Sequence, residues 1–321
     1  MEISTLFDLA SVTKLFTTTA ILRLATQGAL RLSDRVFALL APSLASRGLG
    51  RELAARLAAC LGVIDVAALL SHASGIHWWY PFYTRRGEAF ESILVDVLEA
   101  HPPTGQVVYS DLNFMLLGRV VEAVTKTPLP SAVASLVFGP LGLGRSSYAR
   151  PLGPCAAGEW GNRIERRMVA EAGLGFEGWR DESVPIRGDC DDGNCYYYFG
   201  GAAGHAGVFS DARDLCRLGR LFLDAGRLGT GRGAAWLAPA LVREALADQG
   251  GLRGLGFQLG PNYPGEGRGH TGFTGSYLHI NPARGLVIAI LANRLHVAQP
   301  RDLNPYRIEL SEAVLSSLPP H

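Results

Sequence analysis

Along most of the chain apolar residues recur at three- and four-residue intervals, whereas beyond residue 250 they bunch into short runs; the change of period divides the sequence. Leu15, Ile21, Leu22 and Leu24 predict a helix from Ser11 to about Gly28, where the glycine supplies a stop. Residues 35–70, rich in Leu and Ala with little β-branching, predict further helices. Gly87 to Ala100 reads as another amphipathic helix, and Pro102-Pro103-Thr104-Gly105 then breaks the chain. Leu116, Leu117, Val120, Val121 and Val124 mark the apolar face of a helix over Leu112 to Val124, for which Asp111 is the expected cap. Tyr109 is thereby left in a loop just before a helix. Ser210-Asp211 caps a helix through Leu223 that ends at Gly226.

After Gly250 three strands are predicted, Gly254 to Leu259, Gly275 to Ile280 and Leu286 to Ala292, the last two joined by a turn over 281–285. The run Leu286 to Leu291 is apolar at every position, which predicts cover on both faces, and a helix over Glu309 to Leu318 is the expected cover for one of them. No internal repeat is present.

Between these elements lie segments whose pattern is irregular. Residues 71–76 read as a loop, followed by the aromatic run His77-Trp78-Trp79-Tyr80-Pro81-Phe82-Tyr83, which suits a cleft wall and packing between lobes equally. Residues 128–200 are rich in glycine, proline and charge. Within them Asp189, Asp191, Asp192 and Asn194 lack the spacing and the closing Glu of a calcium loop, so a polar turn is expected. The glycine-rich 200–207 segment has no phosphate-loop Lys or Ser/Thr and reads as a tight turn beneath a site.

Composition narrows the function. With 321 residues, 48% hydrophobic and 18% charged, the chain can bury a large core or two lobes. A net charge of +1 and scattered arginines offer no stripe for a phosphate backbone, so no nucleic acid partner is expected. Five cysteines without C-x-x-C spacing signal neither a disulfide framework nor zinc; Cys190 and Cys195 could pair, though idle thiols are the simpler reading. The N-terminus has no basic region before an apolar core and no cleavage pattern, and no membrane segment follows, so the chain as written reads as soluble and without an export signal.

Candidate chemistry centres on Ser11-Val12-Thr13-Lys14, where a helix puts serine and lysine on one face. Ser11 in a first helical turn lies where unpaired N–H groups favour developing negative charge. Lys14, flanked by Leu15 and Phe16, is expected to have its ammonium pKa lowered by burial and to act as a base toward Ser11. Of the 30 basic residues only Lys14 and Lys126 are lysines, and a lysine can lose a proton where an arginine cannot. A metallohydrolase built on His72, His205 or His270 would need H-x-H or H-E-x-x-H spacing, which is absent.

Taken in chain order, Ser11-Val12-Thr13-Lys14, Tyr109-Ser110-Asp111 and His270-Thr271-Gly272 resemble the S-x-x-K, Y/S-x-N and K-T-G elements of the serine β-lactamase and penicillin-binding superfamily. Tyr in the second element and His in the third look like its class C β-lactamase, D-alanyl-D-alanine carboxypeptidase and esterase branch. The likeness extends over residues 6–14, 69–76, 109–118, 200–223 and 269–293. It implies an α+β fold of the serine β-lactamase/DD-peptidase type, one domain over 1–321 with a mostly helical lobe over 9–250 and an antiparallel sheet lobe over 251–321.

The resemblance also assigns roles. Ser11 becomes the acyl-accepting nucleophile, Lys14 its proton partner and Tyr109 the proton relay, as a phenolate favoured by Lys14. The N–H groups of Ser11 and Phe273 become the oxyanion hole, and Asp111, His270, Thr271 and Gly272 line the substrate cleft. No metal and no organic cofactor are implied. The implied substrate is a small amide or ester or a peptidoglycan-like molecule, with a non-catalytic binding protein as the alternative. Asp111 stands where many relatives have Asn, and if ionised it would favour a cationic Lys14 over the neutral base. Only ten residues precede Ser11 where relatives have a helix and strands; the expectation is an N-terminally shortened form lacking those leading strands.

Overall fold

The computed structural model describes residues 1–148, 151, 153–228 and 235–319. Helices α1 (Thr13–Thr26), α2 (Val36–Ser46), α3 (Arg51–Leu61), α4 (Val66–Leu70), α5 (Phe90–Ala100) and α6 (Asp111–Thr125) build the first body of the chain. Helix α1 is its axis: Lys14, Thr17, Thr18 and Thr19 are buried along with its apolar residues, because α6 packs on one side of it and later helices on others. Helices α7 (Leu129–Val133) and α8 (Gly139–Leu141) flank a π-helical turn at Ala134–Phe138. Thus the segment expected to be irregular begins as nearly continuous helix. It goes on to carry α9 (Arg163–Glu171) and a π-helical turn at Asn194–Tyr198. Helix α10 (Ala212–Leu223) starts where predicted, with the Asp211 carboxylate accepting from Asp214 N. Helices α11 (Pro239–Leu246) and α12 (Asn304–Ser317) complete the set, α12 beginning five residues before the expected Glu309.

The strands form three small antiparallel sheets. Strands β1 (Phe7–Asp8) and β2 (Ser147–Tyr148) flank β5 (Val208–Ser210), and β3 (Ala157–Trp160) pairs with β4 (Pro185–Arg187). The third sheet has the order β6 (Arg268–Thr271), β7 (Tyr277–Asn281), β8 (Leu286–Ile290). Helices dominate up to residue 246 and this sheet follows, in keeping with the α+β class that the resemblance implies.

Two strand expectations and one helix cap need correction. Gly254 to Leu259 is not a strand: Gly256 has φ +79°, and the N–H groups of Leu255 and Gly256 go to Ala245 O and Leu70 O, which leaves only isolated bridges at Gln258. The strand lies instead at Arg268–Thr271, whose polar sequence carries no alternation to read and which exists because β7 supplies its ladder. Leu286 to Ile290 is not covered on both faces: every residue of β8 is half-buried, β8 is an edge, and only one face meets α10, where a methyl on Gly219 would sit 2.5 Å from Val287 Cγ1. Asp111, finally, is the first residue of α6 rather than its cap.

Candidate active site

The site is organised at the turn between β1 and α1. Ala10 to Val12 form one 3-10 turn, entered through Ala10 at φ +45°, a left-handed conformation that costs a non-glycine residue about 1 kcal/mol or more. Several bonds impose it. Asp8 Oδ1 accepts from Ala10 N at 2.9 Å and Asp8 Oδ2 from Asp191 N at 2.7 Å, while Leu9 N donates to Val208 O. The hydroxyls of Thr274 and Ser276, each 2.7 Å away, donate to Asp8 O and Leu9 O and tie the turn after β6 to the turn that carries Ser11. Burial raises the Asp8 carboxyl to about 6, with Asp192's charge adding to the rise, against the lowering by its two N–H donors.

Lys14 Nζ donates to Ser11 Oγ at 2.8 Å and to Asp111 Oδ1 at 2.7 Å, and lies 3.5 Å from His205 O. Tyr109 Oη donates to the same Ser11 Oγ at 2.9 Å. Lys14 from three positions away and Tyr109 from 98 positions away thus meet on one oxygen. The ammonium is fully buried, and 5.0 and 5.7 Å above the rings of Tyr109 and Phe114. Burial by itself would lower its pKa, yet the charge of Asp111 and the bonds to Asp111 and Tyr109 outweigh it and the net shift is upward. This reverses the expected lowering: the carboxylate that was expected to cap α6 holds Lys14 as a cation. Tyr109 departs from expectation likewise, burial pushing its phenol up despite the pull of Lys14, so the neutral phenol is the resting form.

Two flanking segments brace this cluster. Residues 72–78 clamp the second element: Val108 N donates to His72 O, Ser110 N to His72 Nδ1 at 3.1 Å, Ser110 Oγ to His77 O and Asp111 N to Trp78 O. His72, at φ +59°, is buried with its ring 4.6 Å from that of Tyr109, and burial followed by the charge of Lys14 keeps it neutral. The sequence points to this segment only through the loop reading of residues 71–76 and the family likeness over 69–76, neither of which indicates support of Tyr109. The glycine-rich 200–207 loop crosses α1 and α6 from the other side, with Thr17 Oγ1 donating to Gly204 O at 2.7 Å. A methyl on Gly204 would stand 2.0 Å from Phe114 O, so the expected tight turn needs glycine for close approach.

The third element forms the facing wall. His270 is buried, 6.1 Å between ring centres from Tyr109, with Nδ1 bonded to Thr271 O at 2.7 Å and Nε2 unpartnered among the described residues. Burial, then Lys14, lowers its pKa well below the ordinary value, so it adds no charge. Thr271 Oγ1 donates to Gln258 Oε1, and Gly272 sits so close to Leu9 O and Ser276 that a methyl would collide with both. Phe273 follows with its side chain exposed and its carbonyl accepting from Arg294. Among the described residues no group of His, Cys, Asp and Glu is arranged to hold a metal ion, and no helix is long and apolar enough to cross a membrane. Cys190 and Cys195 are buried free thiols, and the 189–194 turn is spent on internal bonds, Asp192 Oδ1 accepting from Cys195 N and meeting His205 Nε2 at 3.0 Å.

Comparison with known proteins finds relatives for nearly the whole chain. The Beta-lactamase family model matches residues 2–313. An N-acetylmuramyl-L-alanine amidase of Bacillus subtilis (strain 168) is 30% identical over 317 residues, covering 92% of this chain and 69% of its own length. A putative D-alanyl-D-alanine carboxypeptidase of Salmonella heidelberg (strain SL476) is 27% identical over 333 residues, covering 94% and 72%. Among solved structures SurE superposes with a TM-score of 0.66 at 22% identity over 98% of this chain, which spans 65% of SurE's length. A family VIII carboxylesterase gives 0.61 at 21% identity, with 98% and 84% covered.

Proposed function

The chain belongs to the β-lactamase family of serine hydrolases, and from that premise we propose that it works through a covalent acyl-enzyme on Ser11, cleaving an amide or ester. The observation that carries this reading is the convergence of Lys14 Nζ and Tyr109 Oη on Ser11 Oγ at 2.8 and 2.9 Å. Both are proton carriers within direct reach of the nucleophile.

Because Lys14 rests as an ammonium, it must give up a proton before it can take one from Ser11, and Asp111, 2.7 Å from Nζ, is the acceptor within reach. Ser11 Oγ then attacks the substrate carbonyl carbon as its proton moves to Lys14. The oxyanion faces the backbone N–H groups of Ser11 and Phe273. Tyr109 gives its Oη proton to the departing nitrogen or oxygen, which breaks the scissile bond and leaves the acyl group on Ser11. Tyr109 is then the base for water in deacylation. His270, neutral and buried, with Thr271 and Gly272, forms the wall along which the substrate lies. Small peptidoglycan-like amides, the class named in the relatives, are the substrates this reading favours.

The test is reaction with a fluorophosphonate followed by peptide mapping. A single adduct on Ser11, absent in Ser11→Ala, supports the reading. Adduct formation on another serine, or none at all, ends it.

A further inference from the structure

Helix α12 turns Arg307, Ser311 and Leu315 inward, and the first of these is a charge where an amphipathic helix places an apolar residue. Arg307 is 6% exposed and seated over the Tyr277 ring of β7, 5.7 Å from its centre. Its acceptors among the described residues are all neutral oxygens. Nη1 donates to Asn304 Oδ1 at 2.9 Å, and Nη2 donates to Ser276 O at 3.0 Å and to Gly272 O at 3.3 Å. Burial pulls the pKa of Arg307 down, but a guanidinium keeps its proton at any working pH. A buried cation without a counter-ion is weak ground for stability, so its place in the fold calls for another reason.

The two carbonyls it reaches bound the turn that carries Phe273, and that turn closes without it. Gly272 N donates to Ser276 O at 2.8 Å and Gly275 N to Gly272 O at 3.1 Å, while the hydroxyls of Thr274 and Ser276 tie the turn to the one that carries Ser11. Arg307 is thus a second, charged donor to oxygens already bonded. Gly272 C=O and Phe273 N–H are opposite ends of one planar peptide unit, and among the described residues no acceptor takes that N–H. A cation on the carbonyl end draws electron density toward oxygen and leaves the N–H a stronger donor, an effect that a low local dielectric enlarges. Arg294 gives the contrast: it donates to Phe273 O at 2.8 Å, and the peptide unit of that carbonyl ends in Thr274 N.

We propose that Arg307 is a positioning residue of the oxyanion hole, holding and polarising the 272–273 peptide so that Phe273 N–H meets the oxyanion as a strengthened donor. This rests on the acyl-enzyme reading, in which that N–H faces the oxyanion. Negative charge develops on the substrate oxygen only as Ser11 attacks. Arg307 therefore acts on the rate of acylation and not on the binding of the planar substrate.

The full chain and its Arg307→Gln, Arg307→Lys and Arg294→Gln variants are mixed with p-nitrophenyl acetate, and stopped-flow kinetics separate the acylation rate constant from the affinity for the ester. Loss of a whole oxyanion donor costs about 10²–10³ in rate, so weakening one is expected to slow acylation by Arg307→Gln about tenfold, with ester affinity within about twofold. Arg307→Lys keeps the charge without the fork and should recover part of the loss. Arg294→Gln should lose less than Arg307→Gln. Melting temperatures read the structural contribution separately. An Arg307→Gln chain that melts lower yet acylates at the unsubstituted rate overturns the proposal, as does a loss that falls wholly on ester affinity or one that Arg294→Gln equals. Where Arg307→Gln does not fold, Arg307→Lys decides: a loss of a few fold confined to acylation supports the assignment, and a full rate overturns it. Fluorophosphonate labelling of the unsubstituted chain reads the acyl-enzyme by itself. Labelling at Ser11 with unchanged acylation in Arg307→Gln defeats only the role of Arg307, whereas no adduct on Ser11 defeats both.

Discussion

Replacing Asp111 by Asn keeps shape and hydrogen-bonding reach but deletes the negative charge 2.7 Å from a fully buried ammonium. At an effective dielectric constant of about 20, that separation corresponds to about 6 kcal/mol of gross attraction. Removing one partner of a buried pair typically costs about 3–5 kcal/mol while the other stays charged. Lys14 has an escape, since the raised pKa that Asp111 sustains falls when Asp111 is neutralised and the lysine can shed its proton. The sign for stability follows. A lysine with a raised folded-state pKa contributes fully below the ordinary lysine value and loses that contribution only as pH climbs through the raised one. The intact pair thus stabilises across the whole neutral range, and Asp111→Asn should weaken folding there by up to that 3–5 kcal/mol ceiling, less what deprotonation of Lys14 recovers. The decisive assay is the pH dependence of kcat/KM on a neutral ester. If even a quarter of the attraction reaches Lys14, about 1.5 kcal/mol, the ascending limb moves to lower pH by about one unit. An ascending limb that does not move would show that Asp111 does not govern the proton on Lys14, and the relay through it would have to be abandoned.

Ser11→Ala should abolish turnover and phosphonate labelling together, read by intact mass and by steady-state kinetics. Lys14→Arg keeps the charge beside Asp111 but cannot pass a proton, so a loss of about a hundredfold or more in kcat is expected on stopped assays; an active variant would make Lys14 a fixed cation. Asp8, raised to about 6, takes up a proton on folding between about pH 4 and 6, so stability should fall by about 3 kcal/mol as pH rises through that window. Denaturant titrations of Asp8→Asn against the unsubstituted chain, repeated across that window, should show this slope only in the latter. Gly204→Ala drives a methyl into Phe114 O and should cost about 3 kcal/mol or more, seen as a lowered melting temperature with loss of labelling, because the same loop presents His205 O to Lys14.

The sequence by itself determined what is local. Serine and lysine three residues apart come close wherever the chain coils there, and Asp211 caps the helix that follows it; the period of Leu116 to Val124 marks a helix but not its surroundings, since α6 is buried on every side from Leu112 to Gly118. The order of the three short elements was equally legible, because it is a property of the string. Tertiary structure decided everything that depends on a partner far along the chain. Arg268–Thr271 has no strand pattern and becomes a strand only because β7 pairs with it, while the apolar β8 stays half-exposed because its outer edge has no neighbour. Lys14 illustrates the limit most directly. Its flanking residues correctly predict burial and hence a lowered pKa, yet a carboxylate 97 positions away reverses the sign. The support of Tyr109 by His72 is of the same kind. Electrostatic energy depends on distance through space, and sequence separation carries no information about that distance until the chain has folded.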